Sequence, residues 1–142
     1  MKRVSVALVV AMMAAGTLSG CGGSAYCDDI KGGQKTLNSF GQTRTNKAYQ
    51  GYADLLRKIA KDAPKDVQKD WTKLASRTEG VLAAQKSVGL KLEDMTNTKK
   101  VAALKKADLA KLNDAYTSFN GTTKERASVV KNVKQECKIT LK

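Results

Sequence analysis

The sequence predicts an all-α fold: a four-helix up-down bundle with a broken or short extra N-terminal helix, following a cleaved signal peptide. Apolar residues recur at steps of three and four through most of the 142 residues, and no run alternates at two as a half-buried strand would. Helix starts and stops also fall between the periodic runs, at Pro64, at Asn120-Gly121 and at Thr122 to Glu125. Charged residues at 27% beside 42% hydrophobic fit a folded body of one domain. No room is left for two domains closing over a solute.

The first element, from Cys27 to about Phe40, carries Ile30, Leu37 and Phe40 at helical spacing. Gly32, Gly33 and Gly41 weaken it by up to about 1 kcal/mol each relative to Ala. A second begins near Asn46 and lines up Tyr49, Tyr52, Leu56, Ile59 and Ala63. Pro64 ends it and opens the third, since proline suits a first helical turn, and Asp66 complements the dipole there. Val67, Trp71, Leu74, Thr78, Val81, Gln85 and Val88 form the third stripe, widened by Ala75 and Leu82. A fourth run starts after Thr96-Asn97-Thr98 and presents Val101, Leu104, Ala107, Leu112, Tyr116 and Phe119, flanked by Leu109. Asn120-Gly121 reads as a left-handed stop, and Thr122-Thr123-Lys124-Glu125 as a capping box. The last helix then offers Val130, Val133, Cys137 and Leu141.

Ahead of these lies an address. Met1-Lys2-Arg3 is basic, and Val4 to Ala15 is apolar except for Ser5. That run of 12 residues suits a signal-peptide core and falls short of the roughly 20 needed to span a bilayer. Leu18-Ser19-Gly20-Cys21 resembles the lipobox of bacterial lipoproteins. The resemblance implies cleavage between Gly20 and Cys21, a diacylglyceryl group on the Cys21 thiol, and acylation (palmitate is typical) of the new amine. Plain secretory cleavage nearby is the alternative. The expected organisation is then signal peptide 1–20, lipid-anchored tether 21–26 and helical domain 27–142. Gly22-Gly23-Ser24 would give that tether a reach of roughly 10 Å.

With Cys21 assigned to lipid, Cys27 and Cys137 remain, 110 positions apart. An exported compartment favours a disulfide over two buried thiols. Closing that loop is worth roughly 4–5 kcal/mol by chain entropy. It also constrains topology, because chain ends meet only when the number of antiparallel helices is even. Five full antiparallel helices would keep the two sulfurs apart. Segments 27–43 and 46–62 are therefore read as one broken helix, or the first as a short helix across the bundle end.

Tyr26-Cys27, Ala63-Pro64 with Val67 and Asp70-Trp71, and Val133-Lys134-Gln135-Glu136-Cys137 resemble small exported or lipid-anchored helical proteins of actinobacteria. Those proteins often close on Glu-Cys-Gly, where this chain has Lys138. The resemblance covers about 26–140. It implies fold and address, and no chemistry.

Several function classes fall away. The chain has no His, which removes His-dependent triads, imidazole bases and ordinary zinc sites, and no metal or cofactor is expected. Asp62, Asp66 and Asp70 are spaced by four, but the lysines around them make exposed ion pairs the simpler reading. Asp28-Asp29 reads as first-turn charge. The net charge is +13, or +11 once Lys2 and Arg3 are cleaved away, and residues 99–142 hold 11 Lys/Arg against 4 acids. Lys99, Lys100, Lys105, Lys106, Lys131, Lys134 and Lys138 are the candidate contacts to anionic headgroups or wall polyanions. Ordinary solubility charge is the competing reading. Nucleic acid is a poor partner, because interleaved exposed aromatics are lacking. The stretch Gly89 to Thr98, with Leu90, Leu92 and Met95, is either a partner loop or, more simply, a plug on the core. The expectation is a non-enzymatic binding module, lipid-anchored on the extracytoplasmic face of the cell membrane. The alternative is a carrier holding an apolar ligand inside the bundle.

Overall fold

A computed structural model describes residues 23–142, with side chains from Ala25 onward; the expected signal peptide and the expected lipidation site, Cys21, lie outside them. The fold is all-α, and every regular element among the described residues is helical.

Helix α1 (Gly23–Asn38) takes in Gly23 and Ser24, so these two extend the helix rather than the tether. It buries Tyr26 and Ile30. At Gly33, α1 and its neighbour meet closely: a Cβ there would lie 2.6 Å from Leu55 Cδ2. Helix α2 (Asn46–Asp62) starts at Thr45, whose hydroxyl accepts from the Ala48 N–H at 3.2 Å. The stripe Tyr49, Tyr52, Leu56, Ile59 and Ala63 is buried as expected.

Segments 27–43 and 46–62 are not one broken helix. Asp29 pairs with Lys58 at 2.7 Å, Gly33 meets Leu55, and Phe40 stacks on Tyr52, so α1 and α2 run antiparallel. The reversal takes place between Ser39 and Thr45, where Gly41 adopts φ 85°, a conformation that costs glycine little. Asp29 consequently acts as a cross-helix partner and lies beyond the first turn.

Ala63 and Pro64 are both extended, with ψ near 146° and 145°, which turns the chain again into α3 (Lys65–Ser87). Gln68 Nε2 donates to the Ala60 carbonyl at 3.1 Å and Arg57 meets Glu79 at 2.6 Å, so α3 runs antiparallel to α2. Val67, Trp71, Leu74, Thr78, Val81 and Gln85 are all buried.

The third reversal spans 88–105. Leu90 and Leu92 are buried, so this connection does plug the core, and it includes a 3₁₀ turn at Leu92–Thr96. Two bonds fix it to the start of α2: the Leu92 N–H donates to Asn46 Oδ1 at 2.8 Å, and the Asn46 N–H donates to Glu93 Oε2 at 2.9 Å. Asn97 caps a one-turn helix α4 (Thr98–Ala102) through a 3.2 Å bond from the Lys100 N–H. The run expected to be continuous from Thr98 is interrupted at Ala103–Lys105, where Lys105 is extended. Ala107 is accordingly exposed.

Helix α5 (Lys106–Asn120) is followed by α6 (Thr123–Cys137). Gly121 is not a left-handed stop, since its φ is −68°, and Thr122 makes no side-chain cap bond. The expected capping box does not form. Buried Thr122 instead donates to the Phe119 carbonyl at 2.7 Å, and Glu125 pairs with Lys73. With no residue of positive φ to redirect it, the chain continues in nearly the same direction. Gln85 meets Tyr116, Val81 packs with Phe119, Lys73 meets Glu125, and Trp71 packs with Val129. Helices α5 and α6 therefore follow one another along α3. Val129 and Val133 form the buried face of α6, and Val130 is 37% exposed.

That succession resolves the parity problem. Five helices of 15 residues or more coexist with a Cys27–Cys137 disulfide, whose Cα atoms are 5.3 Å apart. Only three reversals separate these five helices, so the start of α1 and the end of α6 meet. The break lies between α5 and α6, not between α1 and α2.

Candidate functional site

At the end of the molecule where α1 begins and α6 finishes, a buried polar relay sits beside the disulfide. Tyr26 OH donates to Asn132 Oδ1 at 2.9 Å and accepts from Trp71 Nε1 at 3.1 Å. Burial pushes the Tyr26 phenol above its usual range, and the bond from Trp71 pulls the other way. These three side chains join α1, α3 and α6. They are nearly inaccessible, which makes them a structural clamp.

Past Lys138, which takes the left-handed φ of 57°, the tail returns along α1. Gln34 Nε2 donates to the Thr140 carbonyl at 3.3 Å, and the Lys142 N–H donates to Asn38 Oδ1 at 2.8 Å. Leu141 there helps to line a small pocket of about 170 Å³ with Leu37, Tyr52, Trp71 and Val129, bordered by Asn38, Arg126 and Lys142. Pockets for drug-sized ligands hold roughly 300–1,000 Å³, so this one is too small for such a ligand.

The opposite end carries a larger cleft of about 420 Å³, between the Ser39–Thr45 reversal, the 3₁₀ turn and the α5–α6 junction. Its walls are aromatic. Ring centroids of Phe40 and Tyr49 lie 5.0 Å apart, Phe40 and Phe119 5.6 Å, and Tyr49 and Phe119 6.2 Å, with Tyr116 completing the lining. Two guanidinium groups, Arg44 and Arg126, border the same space. The Arg126 Cζ stands 4.6 Å from the Phe119 ring centroid, and its Nε donates to Thr122 Oγ1 at 3.1 Å. Among the described residues no carboxylate lies within ion-pair distance of either arginine. Burial raises the Tyr52 phenol and Arg126 lowers it, while burial raises Tyr116 with opposing pulls from Gln85 and Arg44.

The candidate lysines fall into two groups. Lys99, Lys100, Lys105 and Lys106 cluster on and after α4, and Lys131, Lys134 and Lys138 lie along the second half of α6 and just past it. All seven are exposed. A rise of 1.5 Å per residue separates the groups by roughly 30 Å, so they form no single patch. Lys100 is paired with Asp94, and Lys138 Nζ donates to the Gln135 carbonyl at 2.7 Å. Lys134 and Lys138 share the end of the molecule that holds Cys27.

Asp62, Asp66 and Asp70 straddle the Ala63–Pro64 reversal and face no cavity described above. Every carboxyl with a resolved shift is held below its usual range by a cation or a backbone N–H: Glu79 by Arg57, Glu93 by the Asn46 N–H, Asp94 by Lys100 and Glu125 by Lys73. Such groups stay ionised at neutral pH and are poor proton donors. No group of three or more metal-ligating side chains converges among the described residues, and no helix there is long and apolar enough to cross a membrane.

Arg44 and Arg126 are missing from the sequence-level list because solubility charge explains any isolated arginine. One signal was present: neither has an acid three or four residues away on either side. Comparison of the chain with protein-family models, with characterised proteins and with solved structures returned no match.

Proposed function

We propose that this protein is an exported, lipid-anchored helical binding module of the cell envelope that performs no catalysis. The observation that carries the reading is the Cys27–Cys137 disulfide, joining the first described helix to the last. Such bonds persist where the surroundings are oxidising, which agrees with the signal-like segment before Cys21. The helical body starts at Gly23, two positions after Cys21, so an acyl group on Cys21 would hold the clamped end close to the headgroups. Lys134 and Lys138 would then face anionic lipid, each adding about 1 kcal/mol at low screening. Binding is favoured over catalysis by the aromatic, acid-free cleft and by carboxyls locked in ion pairs. A carrier of apolar ligand inside the bundle has weaker support, because the 170 Å³ pocket is small and is bordered by Arg126 and Lys142.

Fractionation of a bacterial host expressing the full chain tests the anchor. The protein should sediment with membranes and dissolve only in detergent, and Cys21→Ser should release it. Wild-type protein recovered in the cytosol with Met1 in place would overturn the reading.

A further inference from the structure

We propose that the cleft at the α5–α6 junction binds a small anion carrying a flat or flexible apolar body, with the head group held between Arg44 and Arg126. The inference rests on the binding half of the function proposed above and is independent of the lipid anchor.

Four features point the same way. The volume of about 420 Å³ lies within the range of small-molecule sites. Half-buried Phe40, Met95 and Tyr116 supply apolar area that a ligand can reach, over a floor of buried Tyr49, Leu92 and Phe119. Arg126 is pre-positioned: Phe119 lies beneath its plane and Thr122 takes its Nε–H, which leaves the two terminal nitrogens with no hydrogen-bond partner among the described residues. A guanidinium so held presents a fork suited to two oxygens of a carboxylate, sulfonate or phosphate. Finally, the cleft lining contains two arginines and no acid, so its field is positive over an apolar surface. A neutral apolar ligand would make no use of the arginines, and a bare inorganic anion would leave the rings uncovered.

The break in the last helical column belongs to this site. Thr122 donates to the Phe119 carbonyl near the end of α5 and accepts from the Arg126 side chain one turn later. The residue that interrupts the column also orients the cation.

Two fluorescent probes with the same aromatic body separate charge from hydrophobicity. One is 1-anilinonaphthalene-8-sulfonate, and the other is the uncharged N-phenyl-1-naphthylamine. A soluble Cys21→Ser protein should bind the sulfonate at least tenfold more tightly than the neutral probe. Arg126→Gln and Arg44→Gln should each weaken sulfonate binding about tenfold and leave the neutral probe unchanged. Arg44 is exposed on a connecting segment, so its variant reads binding even if the Arg126 variant is unstable. Competition by decanoate or by 2-naphthoate then assigns the natural body as aliphatic or aromatic. Equal affinity for both probes, insensitivity to both substitutions, or displacement by neither acid would overturn the proposal. An acylated Cys21 in native material would stand whatever the probes show, so failure here is distinct from failure of the anchor.

Discussion

At the residue scale the most consequential atom is the Tyr26 hydroxyl, which meets the Trp71 N–H and the Asn132 side chain in a buried site. Tyr26→Phe removes the hydroxyl and leaves both partners unsatisfied. At about 1–3 kcal/mol per stranded buried group, the expected loss is roughly 2–4 kcal/mol. Urea unfolding should show a lower midpoint with an unchanged slope. Lys138 is the opposite case. It occupies the left-handed position after α6 where glycine is at ease. Lys138→Gly should raise stability by up to about 1 kcal/mol, less what the Lys138 bond to the Gln135 carbonyl contributes. A thermal melt that shifts downward would show that this bond outweighs the backbone strain.

At the element scale the two central stripes were fully legible. Tyr49 to Ala63 and Val67 to Gln85 repeat at three and four without interruption, and each such helix has one way to bury its apolar side. The direction of the chain after Gly121 was not legible. Asn-Gly followed by Thr-Thr-Lys-Glu is the pattern of a stop and a fresh start. Whether the chain turns back depends on the φ of Gly121, which is −68° here beside a buried Thr122 bonded to the Phe119 carbonyl. The 91–97 connection shows a related limit: its leucines marked it as a plug, but its bonds to Asn46 join positions more than 40 residues apart. Those bonds make it acid-sensitive. Glu93 and Asp94 are held below their usual values, near 4.5 and 3.8, so their contribution is present above those values and is lost as pH falls through the lowered ones. The Asn46 and Lys91 amide resonances should therefore titrate by NMR with the lowered Glu93 and Asp94, each below the usual value of its carboxyl. Titration at or above the usual carboxyl values would contradict this.

For the whole molecule, the Cys27–Cys137 bridge closes a loop of 110 residues, and chain entropy puts its worth at roughly 4–5 kcal/mol. Reduction should lower the urea midpoint by a large fraction of total stability while leaving the far-ultraviolet spectrum helical. An unchanged midpoint would mean that the tail bonds to Gln34 and Asn38 already hold the ends together. The cysteine pairing was readable from compartment and count. The cleft was not, because Arg44, just before α2, and Arg126, on α6, come to line one space only through the packing of α2, α5 and α6 around α3. The charge pattern was half readable: the excess on residues 99–142 is real, yet the fold divides it between the two ends of one column.

Intact mass spectrometry of protein isolated from bacterial membranes, before and after reduction, tests the exported and anchored state most directly. Expected is the mass of residues 21–142 plus diacylglyceryl and acyl groups, lower by two hydrogens until a reductant is added. A mass that retains Met1, lacks any acyl addition, or shows Cys27 and Cys137 already reduced would contradict it.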